Sequence, residues 1–223
     1  MKPAAASKPE RSGRLSAEDW AQAALDLIAE QGVAAVAVEP LARRLGVTKG
    51  SFYWHFPSRD ALLQAALERW ETVEQEEIFG KLESVGDPRE RLHALFQVVA
   101  HEHQAHLIYS ELLKALDHPT VNPVIGRVSR RRFEYLSALF RQAGLAGAAA
   151  QHRARLAYAA YVGFLQLNMQ LNMQFDVPSG ASSNPTRMQR EEFEDYVEHM
   201  METLIPDGAA PTPSAPPEAS SAT

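Results

Sequence analysis

The chain has 223 residues, 45% of them hydrophobic, enough to bury a sizeable core and to form one small domain followed by a larger one. It contains no cysteine, which excludes disulfides and thiolate metal sites and fits a reducing compartment. The net charge of −6 divides unevenly, +1 over residues 1–60 and −7 over residues 61–223, so the acidity does not exclude an anionic partner for the first part.

Residues 1–14 form a basic arm, with Lys2, Lys8, Arg11 and Arg14 against Glu10 alone. Two readings stand for it, a segment lying along phosphates or in a minor groove, and a solvating tail. A first helix is predicted over 16–31: Ser16 caps it, Asp19 follows three residues on, and Trp20, Ala23, Ala24, Leu27 and Ile28 recur at helical spacing. Gly32 closes it. Residues 38–45, VEPLARRL, give a short second helix with Leu41 and Leu45 at i, i+4, Pro40 in the tolerated first turn and Gly46 as a stop.

After a tight turn at Gly46 and Val47 comes VTKGSFYWHFPSRD, residues 47–60. Thr48 can cap a third short helix, Lys49 is its first-turn cation, and Gly50 and Ser51 let another surface approach. Phe52 and Phe56 share one helical face, while Lys49, Tyr53 and Trp54 fall on another. Pro57 forbids continuation, and Ser58 caps the next helix. Helix, tight turn and helix make a helix-turn-helix over a three-helix core of Trp20, Leu27, Ile28, Val36, Leu41, Leu45, Val47, Phe52 and Phe56. Outward Lys, Ser, Tyr and His donors suit phosphate oxygens and base edges in a DNA major groove. The other reading, a core helix whose rings are simply buried, leaves Lys49 and Arg59 as brackets unexplained.

Beyond residue 57 the apolar pattern is helical throughout, with helices predicted near 58–80, 88–103, 104–116, 121–143, 148–175 and 187–204. Turns fall at Gly86 to Pro88, His118 and Pro119, and Gly144 to Gly147, and 176–186 reads as a loop. From Pro206 the sequence carries five prolines and almost no large apolar residues, so 206–223 is expected to be disordered. No apolar run nears the roughly twenty residues that span a bilayer, and the N-terminus has no hydrophobic signal core. A cytoplasmic protein with no membrane partner, associated with the nucleoid when bound to DNA, is the expectation.

Two late stripes stand out. Leu156, Ala160, Gly163, Leu167 and Leu171 form one, and Phe193, Tyr196, Val197, Met200 and Leu204 the other. Each could be intrachain core, but together they exceed what one chain's bundle needs and favour a homodimer. The repeat LNMQ at 167–170 and 171–174 stacks Asn168 on Asn172 and Met169 on Met173, as a pocket lining, a register device or a mixed interface edge. Trp70, Phe96, Tyr109, Phe133, Tyr158, Tyr161 and Phe164 are candidates to line a largely apolar pocket with tyrosine hydroxyls as polar anchors. His103 and His106 share a helical face and join them as pocket-lining imidazoles or as polar surface. A metal would need a carboxylate such as Glu102 or Glu111 as well.

Residues 15–63, and LARRLGVTKGSFYWHFPSRDALL above all, resemble the DNA-binding domain of the tetracycline-repressor (TetR) family. The resemblance covers about a fifth of the chain. It implies an all-α fold with a helix-turn-helix DNA-binding domain at 15–57 and a larger helical effector-binding and dimerisation domain at 58–205. It also implies that Thr48, Lys49, Gly50, Ser51, Tyr53, Trp54 and His55 lie on or beside the recognition helix, with Tyr53 at a phosphate and Lys49 toward the groove. Arg59, at the start of the fourth helix, and Arg44 would hold backbone phosphates. The pattern departs at Val38, where the family often has Ser or Thr as cap and phosphate donor, and the neighbouring Glu39 would repel phosphate unless it turns away.

No phosphate-cradling GxxxxGK[ST], GxSxG elbow or HExxH occurs, so neither an enzyme nor a cofactor is expected. The function implied is a ligand-responsive regulator, most readily a repressor, binding a palindromic operator in double-stranded DNA as a dimer and released by a small-molecule effector. The alternative from another class is a helical ligand-binding or scaffold protein whose helix-turn-helix contacts protein.

Overall fold

A computed structural model describes residues 15–101, 103–166, 195 and 198–205. The basic arm, the LNMQ repeat, the 176–186 loop, the proline-rich tail and, of the late stripes, Leu167, Leu171, Phe193, Tyr196 and Val197 lie outside these residues. Every described element is helical. Among the described residues no helix is long and apolar enough to cross a membrane.

Helix α1 (Ala17–Gln31) starts where the capping pattern places it: the Asp19 amide donates to Ser16 Oγ at 3.2 Å and the Ser16 amide to the Asp19 carboxylate at 2.8 Å. Gly32 ends it at φ 82°, a conformation costly for any residue with a Cβ, and its amide returns to the Ile28 carbonyl at 2.8 Å. A short 3-10 turn (Val33–Ala35) leads to α2 (Val38–Leu45), which stops at Gly46, φ 69°. Helix α3 (Lys49–Tyr53) follows at once. It is only five residues long, and Thr48, expected to cap it, makes no side-chain capping bond. Trp54 and His55 therefore stand in the turn after α3, where the His55 and Phe56 amides both return to the Phe52 carbonyl.

The three helices close on Phe52, fully buried with its ring 5.4 Å edge-on to Trp20 and 5.8 Å from Phe56. Trp20, Leu27, Ile28, Val36, Leu41, Phe52 and Phe56 are buried as the pattern requires, with Leu45 and Val47 packed at the margin. Burying each large side chain contributes about 1.5–3 kcal/mol, so Phe52 anchors the unit far more than the two-turn α2 can by itself.

Ser58 Oγ accepts from the Ala61 amide at 3.1 Å and starts α4 (Arg59–Glu74). The predicted helix to residue 80 ends as regular α-helix at Glu74 and continues as a π-helical turn, Gln75–Gly80. The extra residue in that turn shifts the inward position from i+4 to i+5 after Glu74, so Phe79 is buried, 4.6 Å from the Tyr135 ring. Helices α5 (Pro88–His101), α6 (His103–Leu113), α7 (Val121–Gln142) and α8 (Gly147–Leu165) complete the bundle, and 198–204 is helical.

Two apolar clusters hold these elements. The first is continuous from α1 and α4 into Ile108, Tyr109 and Leu112 of α6 and Val121, Val124, Ile125 and Val128 of α7. It does not break at residue 57. The second joins Leu92 and Leu95 of α5 to Leu139 and Phe140 of α7, Ala150, Ala154 and Ala157 of α8, and Met201, Leu204 and Ile205.

Candidate nucleic-acid interface and interior cavity

Packing decides which side chains of the third-helix segment face out. With Phe52 and Phe56 committed to the core, Tyr53 and Trp54 are left 57% and 80% exposed, too much for rings with a place inside. Thr48, Lys49 and Gly50 are exposed beside them, while Ser51 and His55 are half-buried. Lys49 Nζ donates to Glu39 Oε1 at 2.9 Å. That bond holds the Glu39 carboxyl below its ordinary range and Lys49 above its own. Glu39 thus turns toward Lys49, and because both side chains are exposed the pair is screened and weak.

The two arginines expected on phosphates are engaged within the protein instead. Arg44 makes two 2.7 Å bonds to the Glu30 carboxylate and stands 4.0 Å from Asp26. Arg59 donates from Nε to the Val36 carbonyl at 2.7 Å and from Nη2 to the Val33 carbonyl at 3.0 Å, with Asp60 at 3.2 Å from Nη1. The Val33 carbonyl already accepts from the Val36 amide at 3.2 Å, and Arg59 adds a second donor there and one at the Val36 carbonyl, pinning the start of α4 to the three-helix unit.

At the other end of α4, the π turn, α5, α6, α7 and α8 enclose a cavity with about 90 Å³ of space that the centre of a water molecule could occupy. Of the nine predicted pocket residues, Phe96, His106, Tyr158 and Tyr161 line it. Trp70 and Tyr109 stand behind that lining, stacked at 6.0 Å and buried. Phe133 and Phe164 pack against the apolar clusters, Phe133 under the Arg155 guanidinium at 5.6 Å. The His103 side chain lies outside the described set. Among the described residues no group of three or more His, Cys, Asp or Glu could hold a metal ion.

Sequence reasoning missed the charged pair that organises this cavity. Arg132 Nε donates to Glu74 Oε1 at 2.5 Å, with Glu74 5% and Arg132 14% exposed along their side chains. The guanidinium lies 4.3 Å from the Tyr109 ring centroid, 5.6 Å from Tyr161 and 6.0 Å from Trp70. Burial works against the Arg132 charge, but the facing carboxylate and the surrounding phenols more than offset it, and its pKa is held above the ordinary value. Burial pushes the Tyr161 phenol up to about 12 and raises Tyr109 further, so both are neutral. Tyr109 and Tyr158 share a hydroxyl contact, and Tyr158 also donates to Ser129 Oγ at 2.8 Å.

Glu74 Oε2, Arg132 Nη1 and the Tyr135 hydroxyl have no hydrogen-bond partner among the described protein groups. A usable signal was present in the sequence. Arg132 falls on the α7 stripe of Val121, Val124, Ile125, Val128, Leu136 and Leu139, and Glu74 on the α4 stripe of Leu63, Leu67 and Trp70, so two apolar faces each carry one opposite charge.

On α8, Leu156 is 60% exposed and, among the described residues outside its own helical turn, no atom stands within 4 Å of the position a Cβ would take on Gly163, while Ala160 is half-buried. Met200 and Leu204, expected at a dimer surface, instead serve the interior: Met200 lines the cavity and Leu204 is 5% exposed in the second cluster. Residues 203 and 204 are tied to α8, where Arg153 Nη1 donates to the Thr203 and Leu204 carbonyls at 2.9 and 2.8 Å.

Residues 22–66 match the model of the family described as "Bacterial regulatory proteins, tetR family". The chain is 49% identical over 47 residues to the tetracycline repressor protein class A from transposon 1721 of Escherichia coli, covering 21% of this chain and 22% of that protein. It is 30% identical over 124 residues to the HTH-type transcriptional repressor KstR2 of Rhodococcus jostii, covering 52% and 53%. The chain thus spans about half or less of the length of these relatives. Its fold is that of the reduced form of Escherichia coli NemR, with a TM-score of 0.68 at 18% identity over 87% of this chain and 98% of that one. Helix-turn-helix and matched segment agree: residues 22–66 are a DNA-binding segment of the kind described for the tetR family of bacterial regulatory proteins, carried on an all-helical fold like that of NemR.

Proposed function

We propose that the protein is a ligand-responsive transcriptional regulator, acting as a repressor, whose dimer binds a palindromic operator in double-stranded DNA and is released by a small-molecule effector. The observation that carries this reading is the outward placement of Lys49, Tyr53 and Trp54 beside the buried Phe52 and Phe56, inside the segment matched by the family model. Two such faces in a symmetric dimer would enter successive major grooves, roughly 34 Å apart or a small extension of that. The uncovered face of α8 around Leu156 and Gly163 supports the dimer.

Helix α4 supplies the link between the sites. Its first residue is pinned to the three-helix unit and its last belongs to the cavity wall, about 24 Å away at 1.5 Å per residue over 16 residues. An effector that prefers one position of the Glu74 end therefore prefers one position of the recognition helices. A coupling of about 1–3 kcal/mol changes operator affinity about 5- to 150-fold.

The test is a mobility-shift titration of the full chain with the DNA upstream of its own reading frame, repeated across salt concentrations. Specific binding that weakens steeply with salt is expected. No specific shift at low salt would sink the regulator reading and favour a helix-turn-helix that contacts protein.

A further inference from the structure

We infer that the interior cavity selects an uncharged, largely apolar ligand of about one aromatic ring that presents a hydrogen-bond acceptor and donor side by side, as a carboxamide does, to Arg132 and Glu74. The inference rests on the effector-binding reading above and names what that site would take.

Charge sets the first condition. Glu74 and Arg132 are the carboxylate and the guanidinium of the lining, and they already face each other. The other charges nearby on the same helices are engaged elsewhere, Arg127 and Arg131 with Glu71 at 2.9 and 2.6 Å. A ligand anion would draw Arg132 away and strand the Glu74 carboxylate in an apolar wall. A ligand cation would meet Arg132 itself, whose guanidinium already occupies the rings of Tyr109, Tyr161 and Trp70. Either charge leaves one buried ion uncompensated, the costly outcome for a desolvated pair.

Valence sets the second condition. The bond from Nε to Oε1 leaves one donor, Nη1, and one acceptor, Oε2, without partners. A carbonyl oxygen would answer the first and an N–H the second, and a carboxamide carries both on one planar group; the side chains around the two buried atoms must shift to admit it. Leu95, Phe96, Leu136 and Ala157 offer apolar surface to the body of the ligand, and the other polar groups of the lining, His106 and the tyrosine hydroxyls, carry no formal carboxylate or guanidinium charge.

Size sets the third. The cavity, about 90 Å³, is smaller than the roughly 150 Å³ in which a benzene ring is held in an engineered core cavity. A ring that exceeds this space must displace lining side chains, among them the half-buried Ile78, which sits on the π turn that follows α4. Binding and displacement of that turn are then one event.

The experiment titrates the full chain with benzamide, benzoate, benzylamine and toluene, following ligand and protein signals by NMR. Benzamide is expected to bind about tenfold more tightly than each of the others. Glu74→Gln should invert the order toward benzoate, because it leaves Arg132 uncompensated, and Arg132→Gln should invert it toward benzylamine. A merely structural role for the pair would not produce opposite inversions. The wild-type ranking decides even if neither variant folds. Tightest binding of benzoate or benzylamine overturns the proposal, and toluene binding equal to benzamide overturns it while leaving an apolar effector site in place. Failure of all four probes overturns it together with the effector reading of this cavity.

Discussion

The two ends of α4 adjoin sites built on opposite plans. At its start, the outward residues Lys49, Tyr53 and Trp54 ride on a core completed by Phe52 and Phe56, so the side chains offered to a partner are not those that hold the fold. At its end, Glu74 and Arg132 are at once the polar groups of the cavity and the charges that α4 and α7 must keep paired. The first plan separates recognition from stability, whereas the second fuses them. A surface site can be altered freely; an interior one cannot be altered without touching the fold.

The largest expected effect tests the fused site. Arg132→Met alone leaves the Glu74 carboxylate buried and uncompensated and should lower unfolding free energy by about 3–5 kcal/mol, read from denaturant unfolding. Glu74→Met combined with Arg132→Met should recover most of that loss. Equal losses in single and double variants would mean that the pair is not coupled, and the contrast would fail at its inner end.

Next comes the separable site. Tyr53→Ala should weaken operator binding by about 1–3 kcal/mol, and its unfolding curve should stay within about 0.5 kcal/mol of the parent. Lys49→Ala should behave alike and also reduce the salt dependence of binding. Loss of stability in parallel with binding would show that this surface is not independent of the core.

Acid titration gives a smaller effect. Bonds from Arg127 and Arg131 outweigh burial and hold the Glu71 carboxyl below its ordinary 4.5. A carboxyl depressed in the folded state adds stability above its unfolded value and loses it as pH falls through the folded one. Glu71→Gln should therefore flatten the decline of the thermal midpoint below about pH 4.5. An unchanged acid limb would place the acid sensitivity elsewhere. Smallest of all, Glu39→Gln should raise operator affinity modestly at low salt by freeing Lys49, an effect that disappears as salt screens the pair. Tighter binding that persists at high salt would mean that Glu39 acts through shape and not charge.

Local chemistry explains how far the sequence could be read. Ser16 with Asp19, Gly32, Gly46, Ser58 and the i, i+4 phenylalanines each act within one turn of chain, and the structure places the first three helices where they fall. Arg44 and Arg59 read as phosphate contacts because their partners, Glu30 and the carbonyls of Val33 and Val36, lie 14 to 26 residues away and leave no mark on local spacing. Glu74 and Arg132 are 58 residues apart, and only their intrusion on two apolar stripes betrays them. Four of the nine aromatic and imidazole candidates line the cavity, because a stripe marks which face is inward but not whether a void or another side chain meets it. The same ambiguity attends the late stripe, where Leu204 is buried in the second cluster and the half-buried Met200 lines the cavity.

The apolar cluster that runs from Trp20 through Leu67 into Ile108, Tyr109 and Val128 bears on anyone recombining such chains. A hybrid joined at residue 58 would press the α1 face of one parent onto the α6 surface of another, and close-packed interiors register a mismatch of a single methylene. The outward residues of 48–55, with the buried Phe52 kept, are a better graft than the head that carries them. Exchanged as side chains on this backbone, they would change what is read without asking two foreign surfaces to fit.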